Sequence, residues 1–156
     1  MKMAKPLAER LIRSRKTLAI AESCTGGFIG HTLTNIPGAS AWFKGGVIAY
    51  ADQAKTDVLG VPAATIKEHG AVSAPTARAM AEGARRRFKS DFAIATTGIA
   101  GPTGGTPGKP VGLVFIALAT ARGTSVKKYI FKGSRLNIKK QTLNAALSML
   151  LSNEHD

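Results

Sequence analysis

Three small side chains that could act as nucleophiles or caps, followed by two glycines, stand in a row at Ser23–Gly27. The short apolar run Thr17–Ala21 before them predicts a buried strand, and helical spacing follows over about residues 26–35. A nucleophile between a strand and a helix N-terminus lies beside free backbone N–H groups, which can stabilise an oxyanion or a phosphate. The turn therefore makes Ser23 a candidate nucleophile of a hydrolase. An ordinary N-cap, formed by Ser23 or Thr25, is the alternative.

A serine nucleophile needs a base, and the three histidines are poorly placed for that role. His31 falls inside the helix after the turn, His69 precedes a glycine, and His155 is in the tail. Lys55 is the best candidate, because burial or neighbouring cations can lower the pKa of a lysine. Tyr50 precedes it by five residues and can relay or orient a proton. The alternatives are a solvated helix lysine and an aromatic ring packed at a strand end.

Cys24 is a second candidate nucleophile, because a thiol beside a helix N-terminus can have a lowered pKa. No histidine is placed to partner it, so it ranks below Ser23. It is the one cysteine of the chain, so no internal disulfide can form, which suits a reducing compartment. No cluster of cysteine, histidine and carboxylate has the spacing of metal ligands, so we expect no metal.

The segment Gly98–Pro110 is a second candidate for binding, with five glycines and three prolines. It follows an apolar run at 91–96, and its N–H groups can form a nest for an anion. Gly98 begins the segment, and Thr97 stands immediately before it. Three prolines restrict the segment, which favours a shaped functional loop over the alternative of a flexible surface loop.

The elements that must position these residues alternate along the chain. Apolar patterns predict helices at 3–14 and about 26–35, from Asp52 as N-cap, from Ser73 or Ala74, and at 135–152, with strands at 17–21, 46–50, 91–96, 111–120 and 125–131. This order predicts an α/β fold, a three-layer α/β/α sandwich with a mixed, mostly parallel sheet. No repeat or linker divides it, so we expect a single domain over 1–156. Ser23, Tyr50 and Thr97 fall at strand ends, where ligands gather in such sheets.

The net charge of +13, from 22 Lys and Arg against 9 Asp and Glu, favours anionic partners such as phosphorylated metabolites or nucleic acid. The densest cluster, Arg85–Lys89, ends a predicted helix, where cations complement the helix dipole. No aromatic stacking platform or RNA-binding signature accompanies it, which makes a nucleic-acid surface the less favoured interpretation of this cluster. No secretory or transmembrane-length apolar run occurs, so we expect a cytoplasmic protein with no membrane partner.

Several long motifs follow one another in a fixed order: Glu22–Gly27, Pro37–Ser40, Tyr50 with Lys55, Gly70–Ser73, Thr97–Pro102 and Lys109–Gly112. From about residue 5 to 152, the series closely resembles the CinA C-terminal domain family of competence/damage-inducible proteins, also found alone as nicotinamide mononucleotide deamidases. The resemblance implies the three-layer fold and no cofactor. It also implies an amidohydrolase that converts nicotinamide mononucleotide and water to nicotinate mononucleotide and ammonia, in pyridine nucleotide salvage.

By position, the resemblance implies that Ser23 is the nucleophile, Lys55 the general base and Tyr50 its partner. Taken with the first turn, the resemblance supports six substrate contacts: Thr25, Gly26, Gly27, Thr97, Gly98 and Arg135. It implies that the arginine holds a phosphate. Two positions depart from the family pattern. Ser134 stands where the family has an aspartate, and Lys139 where it has an arginine. The first change removes an ion pair that would orient Arg135.

Two other functions stay open at this point. One is a non-catalytic nucleotide- or DNA-binding module linked to competence or DNA damage, which the basic charge favours. The other is an amidase for a different small amide, because loop geometry rather than sequence selects the substrate. The family often self-associates, so a homodimer is one expected state.

Overall fold

The structure is a computed structural model that describes residues 2–153, so the tail histidine, His155, lies outside the described residues. Among the described residues no helix is long and apolar enough to cross a membrane. In chain order the elements are α1 (Ala4–Ser14), β1 (Leu18–Glu22), α2 (Phe28–Thr34), a short 3-10 helix (Ala39–Ala41), β2 (Phe43–Ile48), α3 (Asp52–Leu59), α4 (Ala63–His69), α5 (Ala74–Phe88), β3 (Phe92–Gly98), β4 (Leu113–Thr120), β5 (Gly123–Ile130) and α6 (Arg135–Leu151).

The five strands form one mixed sheet in the order β2-β1-β3-β4-β5. Strand β1 pairs in parallel with β2 on one side and β3 on the other, while β4 runs antiparallel to both β3 and β5. Four of the five strands therefore point the same way and β4 alone is reversed, so the prediction of a mixed, mostly parallel sheet is confirmed. The carboxyl ends of β1, β2 and β3 meet at one edge of the sheet, which is where ligands bind in folds of this kind.

Side-chain size alternates along the central strands and sets the layers on the two faces of the sheet. In β1, Leu18 and Ile20 pack in a core with α1, α2 and α6, whereas Ala19 and Ala21 pack in a second core with α3 and α5. Helices therefore cover both faces, and the three-layer α/β/α prediction is confirmed. The helices of the second layer also approach each other closely: a Cβ on Gly83 of α5 would lie 1.9 Å from the main-chain oxygen of Leu59 in α3.

Two helix N-termini near the site can be compared with their sequence signals. The hydroxyl of Ser73 accepts the N–H of Thr76 at 3.3 Å, which confirms Ser73 as the start signal of α5. The prediction of Asp52 as the N-cap of α3 is wrong, because Ala51 holds that position in an extended conformation. Asp52 is instead the first helical residue, where its carboxylate stabilises the positive end of the helix dipole.

Two further boundaries and one whole helix differ from the sequence prediction for physical reasons. Helix α2 begins at Phe28, two residues late, because Gly26 and Gly27 adopt positive φ angles of 57° and 95°. Strand β2 ends at Ile48, so Tyr50 lies just beyond it rather than inside it. Helix α4 has no counterpart in the sequence prediction, because it buries no residue and so carries no apolar stripe.

Candidate active site

A cleft of about 260 Å³ opens at the carboxyl edge of the parallel strands. Its lining comes from the first turn, the segment before α3 and α3 itself, the segment after α4, the end of β3 with the loop after it, and the start of α6. The lining residues are Ser23, Cys24, Tyr50, Asp52, Lys55, Ala71, Val72, Thr97, Gly98, Ile99, Ala100, Gly101, Thr103, Gly104 and Arg135. The three residues expected to catalyse therefore share one cleft, together with three of the six expected substrate contacts. The cleft is the candidate active site.

Ser23 follows the last residue of β1 and is 8% exposed. Its main-chain N–H continues the sheet ladder by donating to the carbonyl of Thr96 in β3, at 3.0 Å. Within residues 2–153 its hydroxyl makes no hydrogen bond to the protein. A hydroxyl that is fixed in place but has no internal partner is available to attack a bound electrophile.

The side chain of Glu22, the residue immediately before Ser23, stabilises the turn. Its carboxylate is 1% exposed and accepts three main-chain N–H groups at the start of α2: those of Gly27 and Ile29 on Oε2, both at 3.1 Å, and that of Gly30 on Oε1 at 2.9 Å. These are donors that the first turn of a helix otherwise leaves unsatisfied. The side chain therefore caps α2 from the preceding strand, and the helix N-terminus does not face the cleft as an open anion site.

The hydrogen bonds of the turn decide which amides face a ligand. The N–H of Gly26 donates to the carbonyl of Ser23 at 3.1 Å, and that of Gly27 to Glu22. In the described part of the chain, the N–H groups of Cys24 and Thr25 have no acceptor. Of these two residues, Cys24 lines the cleft and Thr25 is fully buried outside it, so the N–H of Cys24 is the amide of the turn that remains for an oxyanion.

Lys55 projects from α3 into the cleft and is 1% exposed. Its Nζ donates to the main-chain carbonyl of Tyr50 at 3.2 Å and lies 3.8 Å from Oδ1 of Asp52. Loss of solvation lowers the pKa of Lys55, and the carboxylate of Asp52 acts in the opposite direction. The neutral amine that a general base requires is thus favoured by burial, and the lysine is not the solvated surface residue of the alternative interpretation.

Cys24 lies beside Ser23 but is poorly suited to attack. It is 6% exposed, and its burial raises the pKa of the thiol to about 12. The thiolate is the nucleophilic form of cysteine, so this side chain stays protonated and unreactive at neutral pH. The order of preference from the sequence, with Ser23 above Cys24, agrees with the electrostatics.

Tyr50 and Arg135 close the mouth of the cleft together. The hydroxyl oxygen of Tyr50 accepts from one terminal nitrogen of Arg135 at 2.7 Å, while the other donates to the carbonyl of Gly101 at 2.8 Å. The tyrosine meets Lys55 through its main chain and meets Arg135 through its phenol. The structure therefore gives no support to the predicted proton relay through the hydroxyl of Tyr50.

Ser134 performs one task that an aspartate would perform at this position. It is the N-cap of α6, and its hydroxyl accepts the N–H of Asn137 at 3.2 Å. The neutral oxygens of Tyr50 and Gly101 orient Arg135 instead of an ion pair. The positive charge of the guanidinium is left without a neutralising partner among the described residues, which suits an anionic ligand.

Thr97 and Gly98 end β3 at the floor of the cleft. The hydroxyl of Thr97 donates to the carbonyl of Ala71 at 2.7 Å, which joins the strand to the segment after α4. Gly98 lies so close to β4 that a Cβ would meet the main-chain oxygen of Leu113 at 2.6 Å. Both residues shape the cleft. The hydroxyl proton of Thr97 is not available to a ligand, because it is donated to Ala71.

Three expected substrate contacts lie elsewhere. The hydroxyl of Thr25 is fully buried and hydrogen bonds to that of Thr96 at 2.8 Å, behind the turn. Gly26 and Gly27 supply the positive φ angles of the turn, and Gly27 borders a separate hollow beside His31. The structure does not bring these residues into the cleft lining, although the N–H of Thr25 remains unpaired as described above.

Two residues have roles at the site that the sequence prediction did not include: Asp52 as a member of the cleft and Glu22 as the cap of α2. A carboxylate three residues before Lys55 on one helix was a usable signal for Asp52, since such pairs face each other. For Glu22 the signal was weaker. An acidic residue at the end of an otherwise apolar strand is costly to bury unless it accepts hydrogen bonds.

The sequence profile of the CinA C-terminal domain matches residues 1–153. This chain belongs to the CinA C-terminal domain family. A CinA-like protein of Syntrophus aciditrophicus (strain SB) is 54% identical over 145 residues, which are 92% of this chain and 34% of that protein. A putative competence-damage inducible protein of Desulforamulus reducens is 51% identical over 148 residues, 95% of this chain and 36% of that protein. The chain spans about a third of the length of these curated relatives.

Solved structures of CinA proteins have the same fold. The crystal structure of the competence damage-inducible protein A from Klebsiella pneumoniae subsp. pneumoniae superposes with a TM-score of 0.94 at 34% identity, covering 97% of this chain and 94% of that one. The competence/damage inducible protein from Agrobacterium tumefaciens gives a TM-score of 0.87 at 41% identity, covering 96% and 94%. Family and fold are thus established, and these names state no reaction.

Proposed function

We propose that this CinA domain is a nicotinamide mononucleotide amidohydrolase that forms an acyl-enzyme on Ser23. The observation that carries the proposal is the composition of one cleft: an unbonded serine hydroxyl, a lysine whose burial favours the neutral amine, and an arginine with an uncompensated charge at the mouth. These groups match the two ends of such a substrate, a carboxamide to be attacked and a phosphate to be held.

In the first step, neutral Lys55 takes the proton of the Ser23 hydroxyl as Oγ bonds to the carboxamide carbon. The carbonyl electrons move to oxygen, and the N–H group of Cys24 stabilises the resulting oxyanion. The buried setting of Lys55 supports this role, because an exposed lysine would be almost fully protonated at neutral pH.

In the second step, the Lys55 ammonium gives its proton to the amide nitrogen. The carbon–nitrogen bond breaks, ammonia leaves, and the carbonyl re-forms as an ester of Ser23. Water then loses a proton to Lys55 and attacks the ester. The ester bond breaks, Ser23 recovers its proton, and nicotinate mononucleotide is released, so each turnover consumes one water.

The mouth of the cleft supports recognition of a phosphate. Arg135 presents a guanidinium that is oriented by two neutral oxygens, and a planar fork of N–H donors matches phosphate oxygens. The wall of the same cleft carries the apolar side chains of Val72, Ile99 and Ala100, against which a flat ring can lie.

The test is ammonia release from nicotinamide mononucleotide, measured for the wild type, Lys55→Met and Lys67→Met. Lys67 is an exposed lysine of α4, so its variant is a matched control for loss of one lysine charge. We expect turnover by the wild type and by the control, and a loss of at least about 10³-fold for Lys55→Met. If ammonia is released only from another small amide, that amide replaces nicotinamide mononucleotide as the proposed substrate. Salt-dependent DNA binding without any ammonia release would favour the non-catalytic alternative.

A further inference from the structure

Glu22 begins the first sequence motif but has no part in the chemistry described above. Among the described residues it is the one carboxylate that belongs to the buried core, at 1% exposure, and its hydrogen bonds come from main-chain N–H groups rather than from a cation. Burial of a carboxylate is costly unless several donors satisfy it. Such a group at the residue before the nucleophile calls for a functional explanation as well as a structural one.

The three hydrogen bonds of Glu22 connect the end of β1 to the start of α2 across the turn that carries the nucleophile. Oε2 accepts from the amides of Gly27 and Ile29 and Oε1 from that of Gly30, so both oxygens are engaged. Ser23 is covalently joined to Glu22 and is anchored to Thr96 through its own N–H. The turn is therefore fixed at its first residue and at its last.

This capping also determines which amides remain for a ligand. Since Gly27 donates to Glu22 and Gly26 donates to Ser23, the N–H groups of Cys24 and Thr25 are those of the turn left without an acceptor in the described structure. Without the carboxylate, the amides of Gly27, Ile29 and Gly30 would lose the acceptor that joins them to the end of β1.

We propose that Glu22 is the positioning residue of the active site, which holds the Ser23 turn so that the serine hydroxyl and the amide of Cys24 face the reacting carbonyl. The inference rests on the proposed Ser23 mechanism, but it does not depend on which amide is the substrate. Glu22 does not touch the substrate; it acts through the turn. Its loss is therefore expected to slow the chemical step much more than it weakens substrate binding.

Glu22→Gln is the informative variant, because it keeps the size of the side chain but replaces one acceptor oxygen with a donor that faces main-chain N–H groups. Asp91→Asn is the matched control. The carboxylate of Asp91 also accepts a main-chain N–H, that of Thr17 at 2.8 Å, but at the opposite end of β1. Both variants remove a carboxylate that accepts main-chain hydrogen bonds at an end of β1, from three N–H groups for Glu22 and from one for Asp91, and only Glu22 adjoins the cleft.

The experiment makes two measurements on each of three proteins: the wild type, Glu22→Gln and Asp91→Asn. One is the kcat and KM for ammonia release from nicotinamide mononucleotide, and the other is covalent labelling of Ser23 by a fluorophosphonate, located by peptide mass with Ser23→Ala as background. We expect Glu22→Gln to lose about 10²-fold in kcat and in labelling rate, with KM within about threefold of the wild type. Asp91→Asn keeps both rates, whatever its loss of thermal stability.

Equal labelling and equal kcat for Glu22→Gln and Asp91→Asn would overturn the inference and leave Glu22 as a structural cap. Labelling of the wild type without ammonia release would reject the proposed substrate, while the labelling rates would still decide the role of Glu22. No labelling and no ammonia release from the wild type would overturn both proposals. If circular dichroism shows that Glu22→Gln does not fold, Glu22→Asp takes its place, since it keeps the charge but shortens the reach, and the same rates apply.

Discussion

Arg135 donates a hydrogen bond of 2.7 Å to the hydroxyl oxygen of Tyr50, joining the start of α6 to the segment after β2 across the mouth of the cleft. The two residues are 85 positions apart in the chain. Because the main-chain carbonyl of the same tyrosine accepts from Lys55, one residue touches both ends of the proposed site. The phenol belongs to the phosphate end and the carbonyl to the catalytic end, so substitutions can separate them.

Tyr50→Phe is expected to raise the KM for nicotinamide mononucleotide about 3- to 10-fold and to leave kcat nearly unchanged. The change removes the phenol oxygen that orients Arg135, but it leaves the main-chain carbonyl that binds Lys55. Steady-state kinetics of ammonia release measure both constants. A large fall in kcat at constant KM would instead support the hypothesis of a proton relay through the Tyr50 hydroxyl.

Arg135→Met is expected to raise the KM for nicotinamide mononucleotide by about 10- to 100-fold, because a charge-assisted contact with phosphate is lost. Nicotinamide riboside lacks the phosphate, and its kcat/KM should change by less than about twofold in the same variant. Arg122→Met, an exposed residue in the β4–β5 turn, controls for the loss of a positive charge. If both substrates were affected equally, Arg135 would not be the phosphate contact.

The dependence of kcat/KM on pH should follow the protonation of Lys55. The pKa of this lysine is lowered from its ordinary value of 10.5 by burial, so kcat/KM is low when the amine is protonated and rises with pH through a midpoint below 10.5. Asp52 pulls that pKa upward, so Asp52→Asn should move the midpoint to lower pH. Asp57→Asn, an exposed carboxylate on the same helix, should leave the midpoint in place. A midpoint that does not move in Asp52→Asn would exclude Lys55 as the titrating base.

Much of the site could be predicted from sequence, because parallel strands bring their carboxyl ends to one edge. Short apolar runs predict that Ser23 and Thr97 lie at strand ends, and the parallel neighbours β1 and β3 carry both of them to the cleft. Lys55 follows from its place on the helix after β2. Each of these inferences needs only local pattern and the general rule for α/β sheets.

Partners that lie far apart in sequence, or that depend on the exact φ angles of a turn, could not be predicted. The Tyr50–Arg135 contact depends on how α6 packs on the sheet, and no local pattern indicates it. The positive φ angles of Gly26 and Gly27 turn the chain so that the carboxylate of Glu22 accepts the amides at the start of α2. For the same reason the side chain of Thr25 lies behind the turn, paired with Thr96.

The packing that supports Lys55 gives a prediction about stability. Alanine normally stabilises a helix interior relative to glycine by about 1 kcal/mol, but a Cβ on Gly83 would lie 1.9 Å from the main-chain oxygen of Leu59. Gly83→Ala should therefore lower the free energy of unfolding by about 1–3 kcal/mol. Gly108→Ala, with no atom within 4 Å of its Cβ, should change it by less than about 0.5 kcal/mol. Denaturant unfolding measures both, and a more stable Gly83→Ala would contradict the close α3–α5 contact.

The central claim is that Ser23, and not its neighbour Cys24, attacks the carboxamide. The most direct measurement is kcat for ammonia release from nicotinamide mononucleotide by Ser23→Ala and Cys24→Ala, with folding checked by circular dichroism. Since burial raises the pKa of the thiol to about 12, we predict that Cys24→Ala stays within about tenfold of the wild type and that Ser23→Ala loses at least about 10³-fold. Ammonia release by Ser23→Ala at the wild-type rate, or its loss in Cys24→Ala alone, would contradict the account.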